Sequence, residues 1–340
     1  MLSFSTLPLL VSPFISSAFA NYTLSQDYTG KAFFDGFDFS TGADPTSGHV
    51  QFVNKQEANK SGIAGLMSGG FANNAVFLGM DATNEVPTGG RKSLRVQSSK
   101  AFNHGLIVAD IAHMPGGVCS TWPAFWMVGP NWPASGEIDI LEGVNEQTSN
   151  RMTLHTGSGV VVSKNKTFSG ELVTPNCDVA APGQDKNAGC LISDSDKATY
   201  GKGFNQNGGG VYATEWTSNG IKIWFFPRSA IPANIASANP EPSEAWGAPR
   251  AAFTGDFKID DHFKDLNIVF DTTLCGDWAG KIWADSSCAA LAPTCEEFVN
   301  KNPSAFREAY WAVNSLKVFE KADPPKLRTR FGGAVLPALP

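Results

Sequence analysis

Hydrophobic and polar residues alternate in short runs along most of this chain, and Gly, Pro, Asn and Asp separate the runs. Leu94 and Val96 alternate with Arg95 and Gln97, and the segment 220–226 repeats the pattern. Neighbouring side chains of a strand point to opposite faces, so the alternation indicates strands of antiparallel sheets with two different faces. The candidate strands are one within 22–39 and the segments 49–54, 75–80, 93–97, 105–113, 124–128, 137–142, 151–155, 211–216, 220–226, 264–271 and 310–319.

Many short strands with turn residues between them predict an all-β fold, an antiparallel β-sandwich or jelly roll. The best helical pattern begins at Thr294, where Thr294-Cys-Glu-Glu297 has the form of a capping box, and it ends at Asn302 because Pro303 follows. The segments 156–210 and 227–262 are rich in Gly, Asn, Pro and Ala. We interpret them as long loops, which on a rigid sandwich build the binding surface.

Composition limits the class of protein. The chain has 340 residues without an internal repeat, 42% of them hydrophobic and 17% charged, so we expect one β domain over 21–320. A net charge of -6 argues against nucleic acid or an anionic membrane as partner, since both require a basic face. A neutral polymer is unaffected by that charge. We expect a monomer.

Both ends of the chain differ from its centre. Residues 1–20 carry an apolar run that ends Ala18-Phe19-Ala20, which predicts a secretory signal peptide cleaved before Asn21, although the usual positive segment is missing. No later run approaches the roughly 18 apolar residues of a membrane span. We therefore expect a secreted, extracellular protein. The segment 321–340 has no pattern, and we expect it to be disordered.

Six cysteines in a secreted chain indicate disulfides, because none has the Cys-x-x-Cys spacing of zinc or redox sites. Cys177 and Cys190 bracket a loop and are expected to pair. Three connectivities stay open for the other four, which are Cys119, Cys275, Cys288 and Cys295. Asn59 and Asn165 begin glycosylation sequons, and Asn21 begins one at the new terminus.

The segment 136–143 reads Gly-Glu-Ile-Asp-Ile-Leu-Glu-Gly and has strong strand propensity. Glu137 and Asp139 share a strand face, whereas strict alternation puts Glu142 on the other. A β-bulge near Ile140 and Leu141 would return Glu142 to the acidic face. The sequence then offers three carboxyl groups in a row.

Three such acids without an intervening Lys or Arg would repel one another on a plain surface, and calcium prefers acids mixed with carbonyls on loops. Carboxyl groups about 5 to 5.5 Å apart suit a retaining glycosidase, in which one is the nucleophile and the other the acid and then the base. Close packing of three acids should keep one protonated near neutral pH. We therefore interpret the trio as catalytic.

The segment Glu137-Ile-Asp-Ile-Leu-Glu142 matches the Glu-x-Asp-x-x-Glu signature of glycoside hydrolase family 16 in its bulged, laminarinase-like form, and the chain resembles the secreted fungal endo-β-1,3(4)-glucanases of that family over about 22–320. Further matching segments are Ser-Thr-Trp-Pro-Ala-Phe-Trp at 120–126, Gly-Val-Asn at 143–145, Thr-Leu-His-Thr-Gly at 153–157, Asn-Gly-Gly-Gly at 207–210 and Cys-Gly-Asp-Trp-Ala-Gly at 275–280.

The resemblance implies a curved sandwich with an open cleft for β-glucan on its concave face. It makes Glu137 the nucleophile, Asp139 a helper that tunes the pair, and Glu142 the general acid/base, with no metal or other cofactor. A transglycosylase would use the same residues, and a non-catalytic glucan-binding protein could share the fold, although loss of a Glu would be expected there.

The resemblance also suggests supporting residues. His155 follows in a strand that could pair with the acidic one, and the match to Leu-His-Thr gives it a supporting role beside the carboxyl groups. The positions matching Trp126, Trp132 and Trp278 line the sugar cleft of the resembling enzymes. Candidate cleft residues with a weaker basis are Trp122, Arg91 and Asn205. A core position is the alternative for the tryptophans, and a solvated loop position for Arg91 and Asn205.

Overall fold

A computed structural model describes residues 22–86 and 88–321 of the protein. The expected signal peptide, the sequon at Asn21 and all of the expected tail except Lys321 lie outside the described residues. Within the described residues, no helix combines the length and the apolar character needed to cross a membrane.

Short strands dominate the described chain. They are β1 (Tyr22–Asp27), β2 (Phe37–Phe39), β3 (Val50–Phe52), β4 (Ala64–Leu66), β5 (Val76–Leu78), β6 (Arg91–Ser93), β7 (Arg95–Phe102), β8 (Gly105–His113), β9 (Thr121–Val128), β10 (Glu137–Glu142), β11 (Arg151–His155), β12 (Glu171–Thr174), β13 (Cys190–Ser193), β14 (Gly210–Thr217), β15 (Gly220–Pro227), β16 (Ala251–Phe253), β17 (Leu266–Leu274) and β18 (Trp311–Lys321). The α-helices are brief: α1 (Lys31–Gly36), α2 (Lys55–Lys60), α3 (Gly201–Gln206), α4 (Ile259–His262) and α5 (Cys295–Lys301).

Two antiparallel sheets of eight strands each build the jelly-roll sandwich. The front sheet has the order β12-β13-β11-β10-β9-β17-β7-β2 and carries the acidic strand β10 near its centre. The back sheet has the order β16-β15-β14-β8-β18-β5-β4, and β1 also pairs with β18. Strands β3 and β6 form a small parallel pair beside them. Antiparallel pairing lets one face of the front sheet pack on the core while the other faces outward.

The main core lies between the inner faces of the two sheets. Ile138 and Ile140 of the front sheet and Ile111 of the back sheet are fully buried in one apolar cluster. Between the sheets, Trp311 of β18 donates a hydrogen bond from Nε1 to the carbonyl oxygen of Asp271 in β17 at 3.1 Å. Apolar burial of this kind contributes about 25 cal/mol per Å². Because the inner face of the front sheet is buried in this core, the alternate side chains of its strands project from the outer face.

The strands predicted at 105–113, 137–142 and 151–155 are confirmed at those bounds as β8, β10 and β11. The prediction of unbroken loops over 156–210 and 227–262 is wrong, because β12, β13, α3, β16 and α4 form within them. Strands β12 and β16 occupy sheet edges and are only four and three residues long. Their conformation depends on pairing with a neighbour, which local alternation does not reveal.

Helix α5 follows its predicted cap. The hydroxyl of Thr294 accepts a hydrogen bond from the backbone N–H of Glu297 at 3.1 Å, and the helix ends before Asn302 and Pro303. The exposed N-terminal N–H groups of the helix are thus partly satisfied by its own sequence.

All six cysteines are paired. The predicted bond between Cys177 and Cys190 is confirmed. The other two disulfides, Cys119–Cys288 and Cys275–Cys295, settle the connectivity that the sequence left open. Cys119–Cys288 ties the segment that follows β17 to the residues just before β9, and Cys275–Cys295 closes a loop within that segment.

The sequon residues Asn59 and Asn165 are both exposed, Asn59 on α2 and Asn165 in the loop before β12. A glycosyl chain on either side chain would extend into solvent.

Candidate active site

The predicted β-bulge lies in the middle of β10. Its pairing with β9 places Asp139 opposite Trp126 and Leu141 opposite Phe125, so one residue, Ile140, is extra. Pairing with β11 shifts at the same place. Ile138, Ile140 and Leu141 are fully buried in the core. The bulge therefore reconciles two demands, a continuous apolar inner face and three acids on the outer face.

The outer face of the front sheet can be read from the register of its strands. The row through Glu142 runs from Arg151 to Glu142, Ala124, Asp271 and Arg95. The adjacent row of aligned backbone positions is Thr153, Asp139, Trp126, Val269 and Gln97, and the row beyond it holds His155, Glu137, Val128 and Asn267. Paired residues of an antiparallel sheet share a face. All three acids, His155 and Trp126 thus belong to one surface.

His155 stands between two of the acids. Its Nε2 lies 3.3 Å from Oδ2 of Asp139 and 3.8 Å from Oε1 of Glu137. His155 is 7% exposed and Asp139 is 2% exposed, so both are nearly removed from water. An imidazole in this position orients the carboxyl groups and limits their mutual repulsion.

Burial controls the protonation of the acids. It raises the pKa of Glu137 and that of Glu142 to about 8 each, and repulsion from Asp139 adds to both. Burial also raises the pKa of Asp139 well above its usual range, with Asp271 as the next cause. Ionising one acid opposes ionisation of its neighbours, so the cluster keeps protons at neutral pH. A proton donor and a carboxylate can therefore coexist here.

Tryptophans flank the Glu142 end of the cluster. Nε1 of Trp122 donates a hydrogen bond to Oε1 of Glu142 at 2.8 Å. Trp122 meets Trp278 edge to face with ring centroids 5.5 Å apart, and the guanidinium of Arg151 lies 5.4 Å from the ring centroid of Trp278. Aromatic faces with polar edges suit the apolar face and the hydroxyls of a sugar ring. This end has the composition of a sugar platform.

Trp132 occupies the opposite end, beside Glu137. It is 46% exposed, and its indole N–H is one of the groups that lower the pKa of Glu137. Trp126 lies between the two ends, with the guanidinium of Arg95 4.8 Å from its ring centroid. Aromatic rings therefore accompany the acids along the whole length of the cluster.

The family model described as the XgeA-like catalytic domain of glycoside hydrolase family 16 matches residues 37–319. The chain belongs to glycoside hydrolase family 16. It is 46% identical to an endo-1,3(4)-β-glucanase of Arthroderma benhamiae over 320 residues, which is 93% of this chain and 69% of that protein. A probable endo-1,3(4)-β-glucanase of Aspergillus fumigatus is 43% identical over 88% of this chain, but the match covers 45% of that relative. The chain thus spans less than half the length of some relatives.

Solved structures of the family share this fold. An elongating family 16 β-1,3-glucosyltransferase superposes with a TM-score of 0.80 at 42% identity, covering 88% of this chain and all of that one. Laminarinase 16A of Phanerochaete chrysosporium, with 6-O-glucosyl-laminaritriose in its donor and acceptor sites, gives a TM-score of 0.79 at 38% identity and the same coverage. Membership identifies the chain as a glycoside hydrolase.

Two of the predicted cleft residues, Arg91 and Asn205, bind backbone groups of the domain through their side chains. Arg91 is fully buried, and its guanidinium donates to the backbone oxygens of Val299, Asp81 at 2.8 Å and Asn84 at 2.9 Å. The prediction that Arg91 contacts sugar in the cleft is therefore wrong.

The side chain of Asn205 is occupied in a similar way. Its Oδ1 accepts from the N–H of Met114 and its Nδ2 donates to the carbonyl oxygen of Met114, both at 2.9 Å. This pair of bonds ties α3 to the segment after β8. Isolated polar residues in a sequence do not reveal which carbonyl groups need them as partners.

Two residues of the surface were missed by sequence reasoning, Arg151 and Asp271. Both project from the row that contains Glu142. Arg151 could have been predicted from the sequence, because it lies four positions before His155 in the same predicted strand and therefore shares its face. Asp271 could not have been predicted in this way, because it ends an apolar run far along the chain from β10.

Glu137, Asp139 and His155 have the residue types of a metal site, and their ligand atoms lie within 4.8 Å of one another. A cation there would occupy the carboxylate that the family's signature offers to the sugar, so we assign none. A second group combines Glu146 with Cys119 and Cys288. These cysteines are joined in a disulfide and provide no thiolate ligand.

Proposed function

We propose that this protein cleaves β-1,3-glucan or mixed β-1,3/1,4-glucan within the chain and retains the anomeric configuration. The observation that carries the proposal is the bulge in β10, which aligns Glu142 with Glu137 and Asp139 on the outer face of the front sheet. The positions opposite Glu137 and Glu142 on β9 are four residues apart, roughly 13 Å along a strand. Two glutamate side chains that lean inward across this span approach the spacing of a retaining pair.

The two glutamates divide the reaction between them. In the reactive form the cluster has lost one proton: Glu137 is ionised and attacks the anomeric carbon, and the bond to the leaving oxygen breaks as protonated Glu142 donates its proton to that oxygen. Glu142, now a carboxylate, takes a proton from water, and the resulting hydroxide displaces Glu137 from the sugar. A pKa of about 8 suits Glu142 as an acid at neutral pH.

Asp139 and His155 support this exchange. Protonated Asp139 stabilises ionised Glu137 without adding a charge, and His155 orients Asp139 from 3.3 Å. Trp132 and Trp126 would hold the glycosyl side of the glucan near Glu137, and Trp122 and Trp278 the leaving side near Glu142. No metal takes part in the scheme.

A second activity, transfer of the glycosyl group to another sugar, uses the same residues. Its support is the likeness to the elongating β-1,3-glucosyltransferase. The aromatic pair Trp122 and Trp278 beside Glu142 also offers a surface on which an acceptor sugar could replace water. Hydrolysis and transfer would then compete for one glycosyl-enzyme.

We further propose a secreted monomer whose catalytic domain occupies 21–320 and carries glycans at Asn59, Asn165 and, after cleavage of the leader, Asn21. Three disulfides and the exposure of Asn59 and Asn165 support this proposal. Disulfides persist in oxidising compartments. Mass spectrometry of the purified protein before and after deglycosylation tests it.

The activity is tested by incubating the pure protein with laminarin, lichenan and cellulose and by sizing the products. We expect oligosaccharides from laminarin or lichenan, β-configured reducing ends in early NMR spectra, and no products from cellulose. Early α-configured ends would contradict retention, and products longer than a defined starting oligosaccharide would indicate transfer. Absence of both cleavage and transfer on every glucan would overturn the proposal.

A further inference from the structure

Asp271 is a fourth buried carboxyl group on the surface that carries the proposed catalytic acids. It is 7% exposed and projects from β17. In the register of the sheet, Asp271 and Glu142 both pair with Ala124, one from each side. Two strand spacings make their backbones about 10 Å apart. The only side chain between them in this row is the methyl group of Ala124, so no polar or charged side chain of the row weakens the repulsion between the two carboxyl groups.

The backbone of Asp271 is held from behind the sheet. Nε1 of Trp311 donates to the carbonyl oxygen of Asp271 at 3.1 Å and contacts the hydroxyl of the next residue, Thr272, at 3.2 Å. Trp311 is itself buried in the core and packs edge to face on Phe270. These contacts anchor the backbone of Asp271, and the strand register places its side chain on the outer face.

Charged groups face Asp271 from three sides. Nη1 of Arg95 in β7 lies 3.6 Å from Oδ2 of Asp271. Asp44, in the loop before β3, accepts a hydrogen bond from the hydroxyl of Thr273, two residues after Asp271, and its charge raises the pKa of Asp271. Asp139 and Glu142 of β10 face it across β9. The guanidinium of Arg95 also lies over the ring of Trp126, so it links Asp271 to that indole.

We propose that Asp271 is a positioning residue that keeps the proton on Glu142 and Asp139 from across the sheet, and that its ion pair with Arg95 holds Trp126 flat in the cleft. This inference rests on the proposed function. It assigns one residue two tasks, the timing of proton release by the general acid and the orientation of a sugar platform.

The charges support the first task. An anion at Asp271 opposes ionisation of its neighbours, so it raises the pKa of Asp139 and that of Glu142 beyond what burial alone does. Burial raises the pKa of Asp271 itself to about 7, while Arg95 acts in the opposite direction. Asp271 is thus mostly ionised in the pH range where Glu142 loses its proton. A merely structural ion pair would stabilise the fold without moving that range.

The test is the pH dependence of kcat/KM on laminarin for wild type and Asp271→Asn. Loss of the anion leaves the positive charge of Arg95 unbalanced, and both changes favour ionised Glu142. We expect the alkaline limb of the profile to move to lower pH by about 0.5 to 1 unit. KM should also rise severalfold, because Arg95 no longer holds Trp126.

Asp265→Asn is the matched control. Asp265 lies just before β17, is exposed, and has a φ of 53°, which Asn also tolerates. This change removes the same charge far from Glu142, so the alkaline limb should keep its position.

An unmoved limb in a folded Asp271→Asn enzyme, or equal shifts in both variants, would overturn the inference. Should Asp271→Asn fail to fold, Asp271→Glu and Asp271→Gln form a pair of equal size that differs in charge. The inference then requires that the alkaline limb lie at lower pH in Asp271→Gln than in Asp271→Glu. Alkaline limbs at the same pH would contradict it. A wild-type enzyme inactive on every glucan would instead defeat the proposed function.

Discussion

The indole Nε1 of Trp122 donates a hydrogen bond to Oε1 of Glu142 at 2.8 Å, although the two residues lie on neighbouring strands of the front sheet. A hydrogen bond to a carboxylate stabilises its charged form. It therefore lowers the pKa of Glu142, which burial and repulsion from Asp139 raise to about 8. This contact acts with His155 against burial and the neighbouring acids, and it makes proton release by Glu142 easier.

Replacing Trp122 by Phe removes the donor and keeps an aromatic ring. We expect the alkaline limb of kcat/KM to move to higher pH by about one unit, the opposite sign to Asp271→Asn, and kcat to fall about tenfold. The measurement is the pH profile on laminarin. Trp132→Phe, at the Glu137 end of the cluster, serves as the control and should leave the alkaline limb in place. A downward shift in Trp122→Phe would contradict this view of the bond.

Glu137→Ser removes the proposed nucleophile without adding bulk. Because no glycosyl-enzyme can form, we expect hydrolysis of laminarin to fall by about 10⁴-fold or more. Binding of laminarin should persist, since Trp126, Trp132 and Trp278 are untouched. Turnover and affinity electrophoresis measure the two properties separately. Unchanged hydrolysis would remove Glu137 from its role, and loss of both properties with a native melting profile would indicate a binding role instead.

Glu142→Gln tests whether burial of the acids costs stability. Folding raises the pKa of Glu142 from 4.5 to about 8, so the folded state binds more protons between these values and wild-type stability falls as pH rises through that window. Gln does not titrate. We expect Glu142→Gln to gain on the order of 5 kcal/mol relative to wild type between pH 4.5 and pH 8, measured by denaturant unfolding.

The control for that experiment is Glu57→Gln. Lys92 and Ser61 lower the pKa of Glu57, so ionisation of Glu57 stabilises the folded state instead of destabilising it. The Glu57→Gln variant should therefore gain no stability over wild type as pH rises. A difference between Glu142→Gln and wild type that stays constant with pH would show that the raised pKa of Glu142 is not a property of the folded protein.

Gly189→Ala should displace His155. Gly189 has a φ of 59°, and a Cβ there would lie 2.5 Å from the carbonyl oxygen of Leu154 and 2.8 Å from Nδ1 of His155. Left-handed backbone and this clash should cost about 1 to 3 kcal/mol of stability. We expect kcat to fall about tenfold as His155 moves away from Asp139. Gly183→Ala, in the same loop with open space around it, should lose stability without the loss of kcat.

Sequence reasoning succeeded where the decisive contacts are local. Alternation fixes the faces of β11 and of β10 up to its bulge, the Thr294 cap lies within four residues, and Cys177 and Cys190 close a short loop. The position of the bulge also follows from the chain itself, because Ile138, Ile140 and Leu141 must enter the core while Glu137 and Glu142 must stay out of it.

Local sequence patterns were therefore sufficient to predict the sandwich, the acidic strand and the identity of the three acids. Three features became known from the folded chain: Arg91 and Asn205 bind backbone groups, Cys119 pairs with Cys288, and Asp271 lies on the same face as Glu142. These partners lie far apart along the chain. Hydrogen bonds and charges act through space, so a local pattern of residues does not reveal which distant groups the fold brings together.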